Sequence, residues 1–216
     1  MFSTVYLVDV YEAQKQYSLF ELDSRILPSL KEYEKHCIIK EEQYRNRIGL
    51  LLIQYMLKSK KIRFDRVYAG KYGKLYIDSE KYIDFSVAHS HRYVVGIIDN
   101  NKIGIDIEKI GKTDLRFSKR FYTEEENKYC IEQKDIYRVW TLKESYLKCI
   151  GLGLGIPLRS FSVIRDHVVM FTCEKQRCDS IFLHSLKVND YYISICCCGK
   201  QIEEVKLEEK RIKDLF

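Results

Sequence analysis

The chain has 216 residues, of which 46% are hydrophobic and 31% charged, a balance that excludes disorder and lets one large domain or two small ones share a core. Its formal net charge of +6 comes from basic residues scattered among acids instead of gathered in a tail, a field that attracts phosphate-rich small molecules, an acidic protein or nucleic acid alike. Eight cysteines include the consecutive Cys196, Cys197 and Cys198 and show no regular pairing, which excludes a disulfide framework in favour of a reduced cytoplasmic compartment with thiols as small core groups.

The residues from Met1 to Asp9 carry no basic region and read as a first strand, not a signal peptide, with Val5 and Leu7 alternating with Tyr6 and Val8. Helical spacing takes over from about Ala13. Between Glu41 and Lys60, Tyr44, Ile48, Leu51, Leu52 and Tyr55 recur at helical intervals and predict a long helix. Arg45 lies off that stripe, placed for an anionic contact or for a solvated helix face. The strongly apolar stretch from Ile48 to Ile53 is too short to span a bilayer, so no membrane is expected and the protein reads as soluble and cytoplasmic. From Val67 to Glu108 the pattern is strand-rich, with Gly70 and Gly73 at turns and a hairpin expected between residues 93–98 and 102–107. Helices are predicted from about Thr113 to Ile150, then strands at 160–165, 168–173, 181–187 and 191–198. The second half thus repeats the coarse order of the first, helices followed by strands. Only two prolines and no flexible linker interrupt the chain. We expect an α+β fold of two similar, pseudo-symmetric α/β lobes, residues 1–104 and 105–216, packed together with the active site in the cleft between them.

The stretch Gly104-Ile105-Asp106-Ile107-Glu108-Lys109 concentrates the chemistry. If Ile103, Ile105 and Ile107 face the core, period two puts Gly104, Asp106 and Glu108 on the other face, with the acids about 6.6 Å apart along the strand. At that spacing both side chains can converge on one cation, and without a positive partner they repel. On the helix that carries Trp140, the residues Val139, Leu142, Tyr146 and Ile150 form a core stripe while Glu144 and Lys148 sit one turn apart on the opposite side. Taken alone they are also what an ordinary surface Glu-Lys pair looks like. Joined to Asp106 and Glu108 they give three carboxylates that suit Mg²⁺, and a lysine that with the metal could bind a pyrophosphate and help a phosphate leave.

Other candidates are individually weaker. His89 and Ser90 end an alternating strand-like run from Phe85, where a phosphate contact and a structural role both fit. Lys71-Tyr72-Gly73-Lys74 is a turn with two cations, compatible with a phosphate contact. Cys173 and Cys178 lack a second pair, so no structural zinc site is expected. There is no Gly-x-Ser-x-Gly elbow, no Walker loop and no dinucleotide fingerprint; Gly151, Gly153 and Gly155 follow a helix and precede a strand, the reverse of the required order, and read as a helix end.

This combination resembles the 4′-phosphopantetheinyl transferases of the longer, surfactin-type (Sfp-type) branch. Residues 103–108 match the family pattern I-G-I-D-I-E, residues 140–148 match W-x-x-K-E-S-x-x-K, and Arg120-Phe121-Tyr122-Thr123-Glu124-Glu125-Glu126 resembles the segment between them. The resemblance implies transfer of 4′-phosphopantetheine from coenzyme A to a serine of an acyl or peptidyl carrier protein, releasing adenosine 3′,5′-bisphosphate. It implies Mg²⁺ held by Asp106, Glu108 and Glu144, with Glu144 or a water it orients accepting the serine proton. Lys148 would stabilise phosphate charge, and His89, Ser90, Arg45 and Lys74 would contact coenzyme A. The family's Gly-Lys-Pro is Gly73-Lys74-Leu75 here and its Ser-His-Ser is Ala88-His89-Ser90; His91 replaces a common glycine and Leu152 a frequent lysine. These departures touch the nucleotide-binding shell more than the carboxylates. Both lobes lying in one chain implies a monomer, in contrast to the short branch that builds its site between subunits.

Two other readings compete. Asp106-x-Glu108-Lys109 superficially resembles the acid-x-lysine pattern of a metal-dependent nuclease, which leaves the Trp140 helix unexplained. The 17 tyrosines and positive balance would suit a non-enzymatic nucleic-acid-binding module, but no concentrated basic stripe accompanies them, so no nucleic acid is expected as partner.

Overall fold

The computed structural model describes residues 2–33, 37–113, 115–164 and 180–216. Cys173, Cys178 and the strand expected at 168–173 lie outside them.

Strand β1 (Phe2–Asp9) ends where Asp9 caps helix α1 (Val10–Gln16), its carboxylate accepting the N–H groups of Tyr11 and Glu12. Short helices α2 (Leu19–Asp23) and α3 (Pro28–Lys31) lead to the predicted long helix, α4 (Lys40–Ser59). Strands β2 (Arg66–Ala69) and β3 (Leu75–Asp78) pair as a small hairpin, followed by β4 (Asp84–Ser90), β5 (Tyr93–Asp99) and β6 (Ile103–Lys109). Helices α5 (Leu115–Phe121), α6 (Glu124–Tyr129) and α7 (Gln133–Ile150) fill the predicted helical region, and strands β7 (Ile181–Val188), β8 (Tyr191–Cys198) and β9 (Glu204–Lys210) follow.

The strands make two main sheets, ordered β4-β5-β1-β9 and β6-β8-β7. Strict alternation then sorts the apolar side chains into layers. Tyr6, Val8, Val94 and Ile98 face α4, whereas Val5, Leu7, Val95 and Ile97 face the second sheet, where Ile103, Ile105, Ile107, Ile193 and Ile195 meet them. The second sheet's other side, including Cys196 and Cys198, packs with Val139, Leu142 and Tyr146 of α7. The result is an α+β fold of two similar helix-on-sheet lobes set sheet to sheet. Residues 204–210 return to the first sheet, where β9 runs parallel to β1. Cys149, Cys196, Cys197 and Cys198 are buried free thiols, in keeping with their reading as core groups.

Two local expectations are corrected. The hairpin between residues 93–98 and 102–107 does not form, because β5 is flanked by β4 and β1 and has no edge to offer, so β6 pairs with β8. The strand expected at 160–165 is a 3-10 turn, Leu158–Ser160, followed by an irregular run through residue 164, since the carbonyls of Leu158 and Phe161 are taken by the Lys143 ammonium and not by a ladder.

One junction positions the site. The edge of β6 that faces β4 is satisfied by side chains: the N–H groups of Ile103, Ile105 and Lys109 donate to Asp84 (2.9 Å), Ser86 (3.1 Å) and Ser90 (3.1 Å). Small polar groups at three of the four alternate positions of β4, with Ala88 as the fourth, thus replace a backbone ladder and bind the two lobes along a seam.

Candidate active site

Gly104 lets α7 lie directly on β6. A Cβ there would stand 2.0 Å from the Ser145 carbonyl oxygen and 2.4 Å from the Cys149 nitrogen, so only glycine permits this approach. The contact carries Lys148 to Asp106, Nζ donating to Oδ1 at 2.7 Å. Asp106 is 5% exposed, and its second oxygen, Oδ2, is buried with no hydrogen-bond partner among the described residues. Glu108, two residues on along the same face, accepts from the Ser90 hydroxyl at 2.8 Å.

The Asp106 charge raises both of the other acids. Burial, followed by the Asp106 charge, pushes Glu108 up to about 7, against the opposing pull of the Ser90 hydroxyl and Lys148. Glu144 is raised by burial and then by Asp106, and Asp106 by burial against the pull of Lys148. Three carboxylates therefore face one ammonium, and the group calls for more positive charge than the chain supplies. Among the described residues no three His, Cys, Asp or Glu side chains form a ready metal array, and the Lys148 ammonium takes Asp106 Oδ1. The donor chemistry nonetheless suits a hard divalent cation: every ligand is a carboxylate oxygen, and one buried oxygen is orphaned.

A cavity of about 950 Å³ is lined by Glu144 and Lys148, by Arg45 and Gly49 of α4, and by Tyr72 and Phe85. His89 also lines it, its Nε2 3.9 Å from Glu42. Arg45, left open between an anionic contact and a solvated face, also lines the cavity and is held by protein groups: Nε donates to the His91 carbonyl at 2.8 Å and Nη1 pairs with Glu42. Ser90 is engaged at the seam, between Glu108 and the Lys109 N–H. Lys74 lines the cavity, but its ammonium is bound by Asp84 at 2.6 Å and by the carbonyls of Ile103 and Cys149. The structure thus gathers Asp106, Glu108, Glu144 and Lys148, lines one cavity with Glu144, Lys148, Arg45 and His89, and engages Ser90 and Lys74 with the protein.

The model of the 4′-phosphopantetheinyl transferase superfamily matches residues 102–196, the span from β6 to β8 that holds all three carboxylates. The 4′-phosphopantetheinyl transferase gsp of Aneurinibacillus migulanus is 30% identical over 191 residues, covering 82% of this chain and 79% of that protein. The chain belongs to the 4′-phosphopantetheinyl transferase family. It is similar also to the 4′-phosphopantetheinyl transferases ffp of Bacillus subtilis (38% over 136 residues, 57% of this chain and 59% of that protein) and Sfp of Bacillus subtilis strain 168 (36% over 152 residues, 65% and 66%). Among solved structures, the holo-[acyl-carrier-protein] synthase of Thermotoga maritima aligns with a TM-score of 0.41 at 17% identity, over 46% of this chain and 63% of that one.

This phosphopantetheinyl transferase also uses residues that the sequence reading passed over. Asp84 and Ser86 belong to the seam with Ser90, and a partial signal exists: the three are small polar residues on the same face of the strand, interrupted by Ala88. Lys143 and Glu126 form a fully buried ion pair at 2.8 Å, Lys143 also donating to Leu158 and Phe161 while Glu126 accepts the Val163 N–H. No periodicity marks a lysine as buried, and burial holds its pKa down. Gly151 ends α7 in a left-handed conformation (φ 72°), as its glycine run predicts.

Proposed function

We propose that the chain transfers the 4′-phosphopantetheine group of coenzyme A to a serine hydroxyl of an acyl or peptidyl carrier protein, Mg²⁺-dependently, releasing adenosine 3′,5′-bisphosphate. The observation that carries this reading is the crowding of Asp106, Glu108 and Glu144 around the Lys148 ammonium, beside a cavity lined by Glu144, Lys148, Arg45 and His89. An anionic donor in this cavity would place its pyrophosphate at the acids and Lys148 and its nucleotide toward Arg45 and His89. We assign residues 1–104 the nucleotide contacts and residues 105–216 the metal and catalytic groups, with the β9 tail supporting the first sheet.

In this reaction the serine oxygen forms a new bond to the phosphorus that carries pantetheine, and the bond from that phosphorus to the bridging oxygen of the pyrophosphate breaks. Glu144, or a water it orients, accepts the serine proton; its raised pKa brings it closer to the range where a general base works. Lys148 stabilises the charge that builds on the phosphate oxygens. Asp106, Glu108 and Glu144 would hold Mg²⁺, which when bound neutralises the pyrophosphate and eases departure of the bisphosphate. Because all of these groups lie in one chain, we assign a monomer. The free buried thiols support work in the cytoplasm, and among the described residues no helix is long and apolar enough to cross a membrane.

The test is product analysis. Incubation of the protein with coenzyme A, Mg²⁺ and an apo carrier protein should yield adenosine 3′,5′-bisphosphate in step with coenzyme A consumed, as read by ion-exchange chromatography. Free nucleotides from added DNA or RNA, with coenzyme A untouched, would overturn the reading in favour of a nuclease.

A further inference from the structure

We propose that Lys74 is a positioning residue that fastens the C-terminal end of α7, and that it does not bind the donor's phosphates. This rests on the transferase reading above and assigns a role within it. An ammonium has three donors, and all three are committed: to Asp84 Oδ2 at 2.6 Å, to the Ile103 carbonyl at 3.0 Å and to the Cys149 carbonyl at 3.4 Å. The Lys74 side chain is 10% exposed and that of Asp84 only 2%. Withdrawing the lysine toward a phosphate would leave a buried carboxylate without its counter-charge.

The position of these contacts gives them a function. Cys149 lies in the last turn of α7, where carbonyls have no partner within the helix and a cation is favoured. Lys148, which reaches Asp106, is its immediate neighbour in the chain. Asp84 also accepts the N–H groups of Phe85 and Ile103, so one ion pair joins the β2-β3 hairpin, β4, β6 and the end of α7. The hairpin closes on the same end of the helix through its tyrosines: a Cβ at Gly151 would stand 2.1 Å from the Tyr76 hydroxyl, and one at Gly155 would stand 2.7 Å from the Tyr72 ring. The first lobe thereby fixes where the second lobe presents Glu144 and Lys148.

Two variants, Lys74→Met and Asp84→Asn, separate fastening from phosphate binding. Each is assayed with coenzyme A and with 3′-dephospho-coenzyme A by intact mass of the carrier protein, and by hydrogen exchange of the amides at 147–151. We expect kcat to fall roughly tenfold or more with both donors in both variants, because a displaced catalytic helix costs rate whichever donor is bound. The preference between donors should stay within about twofold of the parent, and exchange at 147–151 should accelerate. A rise in KM in Lys74→Met that Asp84→Asn does not share, for coenzyme A alone (a 3′-phosphate contact) or for both donors (a pyrophosphate contact), would overturn the proposal. So would an unchanged kcat in both variants. If the parent transfers nothing, the transferase reading fails, while unchanged exchange at 147–151 in the variants would separately refute the fastening.

Discussion

Glu108 is pushed up to about 7 from an ordinary 4.5, so between those values the folded protein holds a proton that the unfolded chain has released. Stability from this group is therefore full below the unfolded pKa and is lost as the pH rises through the folded one. A shift of that size is worth at most about 3 kcal/mol. Asp106 and Glu144 face the same group and are raised in the same direction, while Lys148 and the Ser90 hydroxyl work against the rise. In a chelator, the melting temperature should fall by several degrees between about pH 5 and pH 7.5. Mg²⁺ should restore it at the upper pH and do little at the lower, because there protons compete for the same oxygens. Calorimetry across that range decides; an equal Mg²⁺ effect at both ends would contradict the carboxylate site. These acids were legible in the sequence because alternation along a strand is a local rule, so Asp106 and Glu108 had to share the face opposite Ile105 and Ile107. Lys143 was not legible, since the solvation that normally keeps a lysine outside is here replaced by Glu126 and two carbonyls from distant chain.

Helix α7 is held on β6 at Gly104 and on the 158–163 segment by Lys143, and both contacts can be broken singly. Gly104→Ala places a methyl group into the α7 backbone, which should cost at least about 2 kcal/mol and displace Lys148 from Asp106. Lys143→Met leaves Glu126 buried without its partner, which should cost about 3–5 kcal/mol. Adding Glu126→Leu to it should recover part of that loss, because the two residues act as one unit. Denaturant titrations measure all of these, and a Lys143→Met midpoint equal to the parent's would contradict the pairing. Helices α4 and α7 were readable from their apolar spacing. The partners of the strands were not. Which edge β6 takes is settled by β5 having both edges filled and by the oxygens of Asp84, Ser86 and Ser90 along its flank, long-range facts that no local pattern contains.

At the scale of the molecule, two helix-on-sheet lobes meet sheet to sheet, and the cavity takes residues from both. The α+β plan followed from the repeated order of helices and strands. The return of β9 to the first sheet did not, because a parallel pairing across the whole chain leaves no mark on either strand. Since one chain supplies every group of the site, size-exclusion chromatography with light scattering should give a monomer of 25.8 kDa; an obligatory trimer would contradict a self-contained cleft. The most direct test of the central claim is the intact mass of an apo carrier protein after incubation with coenzyme A, Mg²⁺ and this enzyme. The account predicts a gain of one phosphopantetheine arm with the parent, reduced at least about 100-fold in rate in Asp106→Ala and in Glu144→Ala. An unmodified carrier with the parent, or full transfer by both variants, would contradict it.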